Sequence, residues 1–323
     1  MTIKRYTTDD RDEWDAFVRT SRNGTFLFER SYMDYHRDRF VDFSLMYLNA
    51  KNKPIALLSG NAVGMSCQDT PAVYSSHSGL TYGGFILSPK TKAHEVLSLF
   101  DVTRQYLKEQ GFSYWDYKAI PYIYHQMPSE EEEYALWLNH ATLTSCAIST
   151  TIDLQSNFAL HIDTEKQRRH NKALREGFSI HETDDFSEFW RVVEERLDKK
   201  YHVRPVHSLA EITLLHNAFP QQIRCFVATL NDRIEGGVVI YETQRVAHAQ
   251  YSEATPFGME RGVMSLLYLH LIDYYRSHRP DIRFFDFGIS TESGGLYLNR
   301  SLISFKEDFA GRGVAYKCFR IEV

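Results

Sequence analysis

The chain is poor in cysteine and has no surplus of positive charge, and both shortages narrow what it does. Cys67, Cys146, Cys225 and Cys318 lie far apart among 323 residues. No two form Cys-x-x-Cys and none has a histidine at metal-ligand spacing, so neither a zinc site nor a dithiol motif is indicated. Each cysteine is read as a small core residue in a reducing compartment. Lys and Arg total 37 against 42 Asp and Glu, a formal net charge of −5. That balance argues against coating nucleic acid through bulk electrostatics, and DNA is not an expected partner. No apolar run approaches the ~18 residues of a membrane span. Met1 to Arg11 is polar where a secretory signal needs an apolar stretch. These readings predict a cytoplasmic protein with no membrane span. No His-Glu-x-x-His signature or catalytic-triad motif occurs, and no metal is expected.

What is abundant is aromatic: 21 Phe, 20 Tyr and 4 Trp, within a 43% hydrophobic and 24% charged composition. This suits half-buried strands and pockets that grip a flat or sugar-like ligand. The length predicts two domains of about 150 residues each.

Two helices are expected first, Asp9 to Thr20 with Trp14, Phe17 and Val18 on one face, and Ser31 to Asp38. A hairpin comes next, Phe43 to Leu48 with Ile55 to Val63, then short strands near Val73 and Phe85. A long helix from Thr91 to Gln110 stops at Gly111, before the strand Tyr114-Trp115-Asp116-Tyr117. Glu130 to Glu133 reads as a charged helix start. The second half repeats this order. Ile223 to Leu230 and Ile234 to Tyr241 form a hairpin across Asn231-Asp232-Arg233, and Arg245 to Ser252 makes a third strand. A long helix from Glu260 to Ser277 then leads to Phe284-Phe285-Asp286-Phe287. The two aromatic-Asp-aromatic strands in matching places predict two copies of one fold. The junction falls between Thr144 and Lys172, where Ile148 to Ile152 is expected to close the first sheet. Thr164 to Gln167 reads as a capping box, opening a helix that ends at Gly177. A helix from Ser187 to Lys199 is expected after it, and Ser208 is a candidate N-cap.

Helices, a hairpin, a third strand, a long helix and a further strand is an order that resembles the GNAT acyltransferase fold. A tandem pair resembles the Fem-type (FemAB-like) peptidyltransferases, which transfer an aminoacyl group from tRNA to a cell-wall precursor peptide. Two stretches carry the resemblance. Gln167-Arg168-Arg169-His170-Asn171-Lys172-Ala173-Leu174-Arg175-Glu176-Gly177 is similar to the family's basic helix before its second domain. Phe285-Asp286-Phe287-Gly288, with Gly295-Leu296-Tyr297 and Phe305-Lys306-Glu307-Asp308-Phe309-Ala310-Gly311, is similar to its Asp-Phe-Gly strand and downstream Phe-Lys signature. Here Leu298 to Ser304 separate elements that nearly adjoin in the family, and no long heptad arm is present. The resemblance implies a mixed α/β chain built as tandem GNAT-like domains. Residues 1–155 would form the acceptor side and 156–323 the donor and catalytic side. It implies an acyl or aminoacyl transferase acting on an amine of a cell-wall peptide or envelope sugar precursor, with aminoacyl-tRNA or acyl-CoA as co-substrate. An acetyl-CoA-dependent N-acetyltransferase and a non-catalytic binding protein remain alternatives.

Acyl transfer to an amine needs a polarised donor carbonyl, a proton acceptor and oxyanion stabilisation. Lys306 is the candidate oxyanion contact, with Phe305 beside it. Asp286 is either a base whose pKa rises in an aromatic pocket or a structural acceptor. Tyr251 and Glu253 end the third strand where a donor would lie. Thr255 to Val263, with Arg261 and Gly262, is a partial match to an acetyl-CoA pyrophosphate loop whose amides would cradle phosphate. Arg168, Lys172 and Arg175, with Arg169 alongside, form a basic stripe for a nucleotide diphosphate, a CoA phosphate or the tRNA acceptor end. His77 and Tyr82 lie in a glycine-rich stretch read as a substrate loop. Tyr201, His207 and Glu292 complete the substrate-binding candidates.

Overall fold

Each half of the chain builds a sheet around its aromatic-Asp-aromatic strand, and the register about that strand is the same in both. The computed structural model describes residues 1–65 and 71–323. It divides into two units, one of Met1–Ala147, Ser293–Leu296 and Ala315–Val323, the other of Ile148–Glu292 and Tyr297–Val314. The expected cut at 155/156 is thus corrected, because the C-terminal residues return to the first unit.

In the first unit β1 (Thr2–Arg5), β3 (Leu45–Leu48), β4 (Pro54–Leu58) and β7 (Phe85–Leu87) form a small sheet in the order β1-β3-β4-β7. A second set runs β17-β8-β6-β5-β2, with β2 at Val41–Asp42, β5 at Asn61–Val63, β6 at Val73–Ser75, β8 at Tyr114–Lys118 and β17 at Arg312–Glu322. Helix α1 (Arg11–Thr20) buries Trp14, Phe17 and Val18 as its spacing predicts. The second expected helix is shorter, α2 (Arg30–Met33) and then a single 3₁₀ turn. Helix α3 (Ala93–Glu109) packs Val96, Leu99, Phe100 and Leu107 into a core shared with Phe85, Trp115 and Tyr117.

The second unit carries the order β10-β11-β12-β13-β14-β9. Here β9 is Thr142–Asp153, β10 Ser179–Thr183, β11 Ile223–Leu230, β12 Arg233–Glu242, β13 Val246–Ala254 and β14 Phe284–Ile289. The run Ile148 to Ile152, expected to close the first sheet, instead pairs with β14 in the second unit. Helix α5 (Thr164–Arg175) starts one residue earlier than expected. Asp163 is the N-cap, accepting from Glu165 N at 2.8 Å, and a capping aspartate outranks threonine. Helices α6 (Ser187–Tyr201) and α7 (Leu209–Ala218) come next, with Ser208 and Glu211 forming a capping box. Asn231 and Asp232 both take positive φ in the β11–β12 turn, the conformation a tight hairpin requires. The helix expected from Glu260 to Ser277 is broken. Gly262 adopts φ 86° and divides α8 (Pro256–Arg261) from α9 (Val263–His278), a conformation that favours glycine.

The faces of the second sheet are set by alternation. A side chain at Gly236 would meet Val263 of α9, and one at Gly237 would meet Phe189 of α6. Helix α9 therefore covers one face and α6 the other. Tyr268, Phe285, Phe287 and Phe309 interlock beneath α9 at centroid distances of 4.9–6.3 Å. Among the described residues no helix is long and apolar enough to cross a membrane.

The duplication holds residue for residue in the register. In the first unit β6 runs parallel to β8 with Val73↔Tyr114, Tyr74↔Trp115 and Ser75↔Asp116. In the second β13 runs parallel to β14 with Val246↔Phe284, Ala247↔Phe285 and His248↔Asp286. The antiparallel neighbours match too, Arg320 opposite Asp116 and Thr151 opposite Asp286. Both units also seat a lysine on backbone carbonyls. In the first, Lys118 Nζ donates to the carbonyls of His77 and Leu80 at 3.1 and 3.0 Å.

Two sequence readings are corrected in this frame. Cys225 is buried, but Cys146 is exposed and Cys318 half-buried; Cys67 lies outside the described residues. The acidic run opens α4 (Glu131–Leu138), yet Glu132 turns inward, where Tyr117 donates its hydroxyl to it. Burial pushes the Glu132 carboxyl up to about 8, with the Tyr117 hydrogen bond opposing. A raised folded-state pKa stabilises fully below the unfolded value and is lost as pH climbs through the folded one. Glu132→Gln, which cannot titrate, is therefore expected to lose less Tm than the wild type between about pH 5 and pH 9. Parallel curves would contradict a protonated Glu132.

Candidate active site

Strands β13 and β14 stop pairing at His248↔Asp286, and the cause of their separation beyond that point is local. On β13, Tyr251 opposes Val239 and Ala249 opposes Ile240, so Gln250 is an extra, bulged residue. A bulge bends its strand and re-aims the residues beyond it. On β14, Gly288 takes φ 79°, and pairing with β9 skips from Asp286 to Ile289. The two strand ends part from each other.

A cavity of about 440 Å³ fills the gap, within the usual size of a small-ligand site. Ala249, Gln250, Ser252 and Glu253 line it from β13 and Phe287 from β14. Met264 and Tyr268 enter from α9, and Arg196 from α6. Since α6 and α9 cover opposite faces, the cavity passes through the sheet. Arg196 lies 3.6 Å from Glu253. Among the described residues Glu253 is the one carboxylate in the lining.

Phe305 and Lys306 close the far wall. The segment after Leu298 forms α10 (Arg300–Glu307), capped by the Asn299 side chain, which delivers Lys306 in its last turn. Lys306 is 6% exposed, so it is no surface lysine. Its Nζ donates to the carbonyls of Gly288 and Ile289, both at 2.8 Å. Burial pushes the ammonium down to about 8, against the opposing charge of Asp286. The result is a desolvated cation, pinned at the strand end, that borders the cavity. Phe305 packs edge-on to Phe309 at 5.3 Å, with Lys166 over its ring at 4.2 Å.

Asp286 is fully buried. It accepts from Ser149 Oγ at 2.5 Å, Thr151 Oγ1 at 2.7 Å and His248 Nδ1 at 2.7 Å. Burial pushes the carboxyl up, but the hydrogen bonds from His248, Ser149 and Thr151 prevail and hold it below the ordinary carboxylate range. The raised pKa considered for Asp286 is therefore corrected. It is an ionised anchor with its oxygens engaged, the structural alternative with side-chain donors in place of backbone ones.

A strand pair that opens onto a cavity is also where known proteins resemble this chain. Residues 163–297 match the family described as acetyltransferase (GNAT) domain. The matched residues lie almost wholly in the second unit. Among solved structures the fold is similar to FemX, with a TM-score of 0.70 at 10% identity over 100% of this chain and 98% of that one. It is also similar to the C-terminal domain of a putative lysylphosphatidylglycerol synthetase from Agrobacterium fabrum, with TM-score 0.60, 10% identity and 97% and 91% coverage. A tandem GNAT protein from the clavulanic acid biosynthesis pathway matches with TM-score 0.52 at 10% identity over 99% and 98% of the two chains. At such identities the likeness establishes the fold, a tandem GNAT architecture. No curated protein matches the sequence.

The expected pyrophosphate loop is partly engaged within the chain. Thr255 Oγ1 caps Gly258 N at 3.0 Å, Met259 N bonds Thr255 O at 2.9 Å, and Thr255 also donates to the buried Glu235. These amides are engaged within the chain, beside a carboxylate. Arg261 lies over the Phe257 ring at 4.1 Å and pairs with Glu176 at 3.1 Å. A side chain at Gly262 would strike the Arg169 carbonyl. Arg261 and Gly262 thus hold α8 against α5, outside the cavity. The basic stripe is likewise engaged. Arg169 donates to the Met259 carbonyl at 2.7 Å, Lys172 to that of Glu260 at 3.3 Å, and Arg168 pairs with Glu165 at 2.6 Å.

Of the other sequence candidates, Glu253, Phe305 and Lys306 share the cavity. Tyr251 does not line it, because its ring packs on Trp190 and its hydroxyl meets His207 Nδ1 at 2.6 Å. Glu292 is exposed and accepts from Asn299. Tyr201 ends α6, and its side chain lies outside the described residues. His77 and Tyr82 are buried in the first unit and are not an exposed loop. His77 lies beside His36 and Phe40, and burial pushes its imidazole down to about 3. Tyr82 shares a hydrogen bond with Thr25. Sequence reasoning missed His248, Gln250 and Arg196. Only the strand pairing reveals that His248 stands level with Asp286.

Thr151→Val keeps the shape of the side chain and removes one bond to the buried Asp286 carboxylate. It is expected to lower unfolding free energy by about 1.5–3 kcal/mol in a denaturant titration near neutral pH. An unchanged midpoint would contradict the ionised anchor.

Proposed function

We propose that the protein is an acyltransferase that moves an acyl or aminoacyl group onto an amine of a cell-wall peptide or envelope sugar precursor. The observation that carries this reading is the Lys306 ammonium. It is desolvated, fixed by two carbonyls and set against a cavity that passes through the sheet where β13 and β14 part. A positive charge preorganised in a site of low polarity stabilises a developing oxyanion far more than one in water. In the reaction the amine lone pair attacks the acyl carbon, the carbonyl electrons move onto oxygen beside Lys306, and the amine gives up a proton. Collapse then expels the leaving group with its electron pair. The cavity is lined from both faces of the sheet, by Arg196 of α6 and by Met264 and Tyr268 of α9.

Two observations favour an aminoacyl donor over acetyl-CoA. The Gly258 and Met259 amides of the expected pyrophosphate loop are engaged within the chain, and the fold is like those of FemX and of a lysylphosphatidylglycerol synthetase domain. Arg196 and Glu253 in the lining offer charges of both signs to an amino-acid moiety.

The test is to supply acetyl-CoA or charged tRNA with nucleotide-linked acceptors and to track transfer by mass spectrometry. Transfer from charged tRNA is expected, and transfer from acetyl-CoA alone would overturn the aminoacyl reading. Ligand binding without transfer from either donor would favour a non-catalytic binding protein. Lys306→Ala is expected to lower turnover by about 100-fold or more. It also frees two carbonyls, at a cost of roughly 1–3 kcal/mol for each buried group left unpaired, so rates must be read well below its Tm. Turnover equal to the wild type would remove Lys306 from the mechanism.

A further inference from the structure

Resting on the acyltransferase reading above, we propose that His248, oriented by Asp286, is the catalytic base that takes the proton of the attacking amine. The dyad stands at the base of the opening. His248↔Asp286 is the last pair formed between β13 and β14; the residues next along each strand, Ala249 and Phe287, line the cavity, while His248 and Asp286 point to the other face of the sheet, just below it. Asp286 holds the imidazole through Nδ1 at 2.7 Å. The carboxylate, kept ionised by Ser149 and Thr151, makes Nδ1 the protonated nitrogen and leaves Nε2 as the basic one. The ring retains 13% of its surface exposed while its partner has none.

The imidazole is also next to the proposed oxyanion contact. A side-chain carbon at Gly288 would stand 3.4 Å from His248 Cε1, and the carbonyl of the same Gly288 holds Lys306 Nζ. Gly288 therefore touches both groups, the imidazole across van der Waals distance and the cation through its carbonyl. The duplicated unit supplies an internal control. At the equivalent register the first unit has Ser75 beside Asp116, and Asp116 is taken by an Arg320 fork at 2.6 and 2.8 Å. The strand aspartate belongs to the fold. The imidazole, and the replacement of the arginine by Thr151, belong to the second unit alone.

Atoms and electrons balance in this step. The neutral amine nitrogen forms a bond to the acyl carbon, and its proton passes to Nε2 while the oxyanion develops beside Lys306. When the bond from acyl carbon to leaving group breaks, the imidazolium returns that proton to the departing sulfur or oxygen. The products are an amide and a free thiol or hydroxyl. The titratable groups about the ring include Asp286 of β14, Lys306 of α10 reached through Gly288, and Tyr241 of β12, the register partner of His248. From β9 come the hydroxyls of Ser149 and Thr151.

His248→Asn places an amide nitrogen where Nδ1 was, keeping the bond to Asp286, and deletes the distal nitrogen. It is expected to melt close to the wild type, to lose about 100-fold in kcat, and to lose the acid limb of the kcat/KM profile. Activity within about threefold of the wild type, or a slow enzyme with the acid limb intact, overturns the proposal, since a general base contributes far more than that. A second readout does not depend on any donor. In ¹⁵N-histidine NMR of the free protein, His248 is expected to carry its neutral-form proton on Nδ1. The Nε2–H tautomer overturns the dyad even if transfer is observed. A protein that transfers nothing but shows the expected tautomer fails the acyltransferase reading instead.

Discussion

The bond between Lys306 and the carbonyls of Gly288 and Ile289 is the contact on which the candidate site depends. A strand end that has left its neighbour carries unpaired carbonyls, and burying these without donors costs free energy. Lys306 supplies the donors. In doing so it ties α10 to β14 and brings an ammonium out of water, which depresses its affinity for the proton. Support of the open strand end and desolvation of the ammonium are thus one arrangement, in which burial lowers the lysine's pKa while its acceptors favour the charged form.

The second requirement is that β13 and β14 part at a defined place. The Gln250 bulge and the φ of Gly288 do this from opposite sides, while Asp286 locks the last paired position with three side-chain donors. Below that lock Phe285 packs on Tyr268, and above it the cavity begins, with Phe287 in its wall. The first unit shows what the same frame does without these features. Asp116 becomes a half-exposed ion pair with Arg320, and Lys118 rests on loop carbonyls.

Much of the frame was legible in the sequence because it rests on periodicity. The hairpin across Asn231 and Asp232, the aromatic-Asp-aromatic strands and the apolar faces of α1 and α3 come from alternation and helical spacing. The duplication came from the order of elements. What local pattern does not encode is pairing. Ile148 to Ile152 reads as a strand in either unit, and only the partner decides. The break at Gly262 and the inward turn of Glu132 depend on what lies opposite, Arg169 and Tyr117. Lys306 and Glu253, expected from residue type and position, line the cavity. Asp286 was found but its pKa direction was reversed, since Ser149, Thr151 and His248 are distant in sequence or unremarked. The basic stripe of α5 read as a ligand surface because Arg169 and Lys172 find their acceptors in backbone carbonyls of α8, which no side-chain pattern reveals.

The most direct test of a desolvated, carbonyl-held Lys306 at the acyl-transfer site is an NMR titration of lysine-labelled protein, with Lys306 assigned by comparison with Lys306→Met. Its ammonium is expected to titrate near 8 in the free protein and to shift when charged tRNA or acetyl-CoA is added. A midpoint at the ordinary lysine value of 10.5, or a signal indifferent to both donors, would contradict the account.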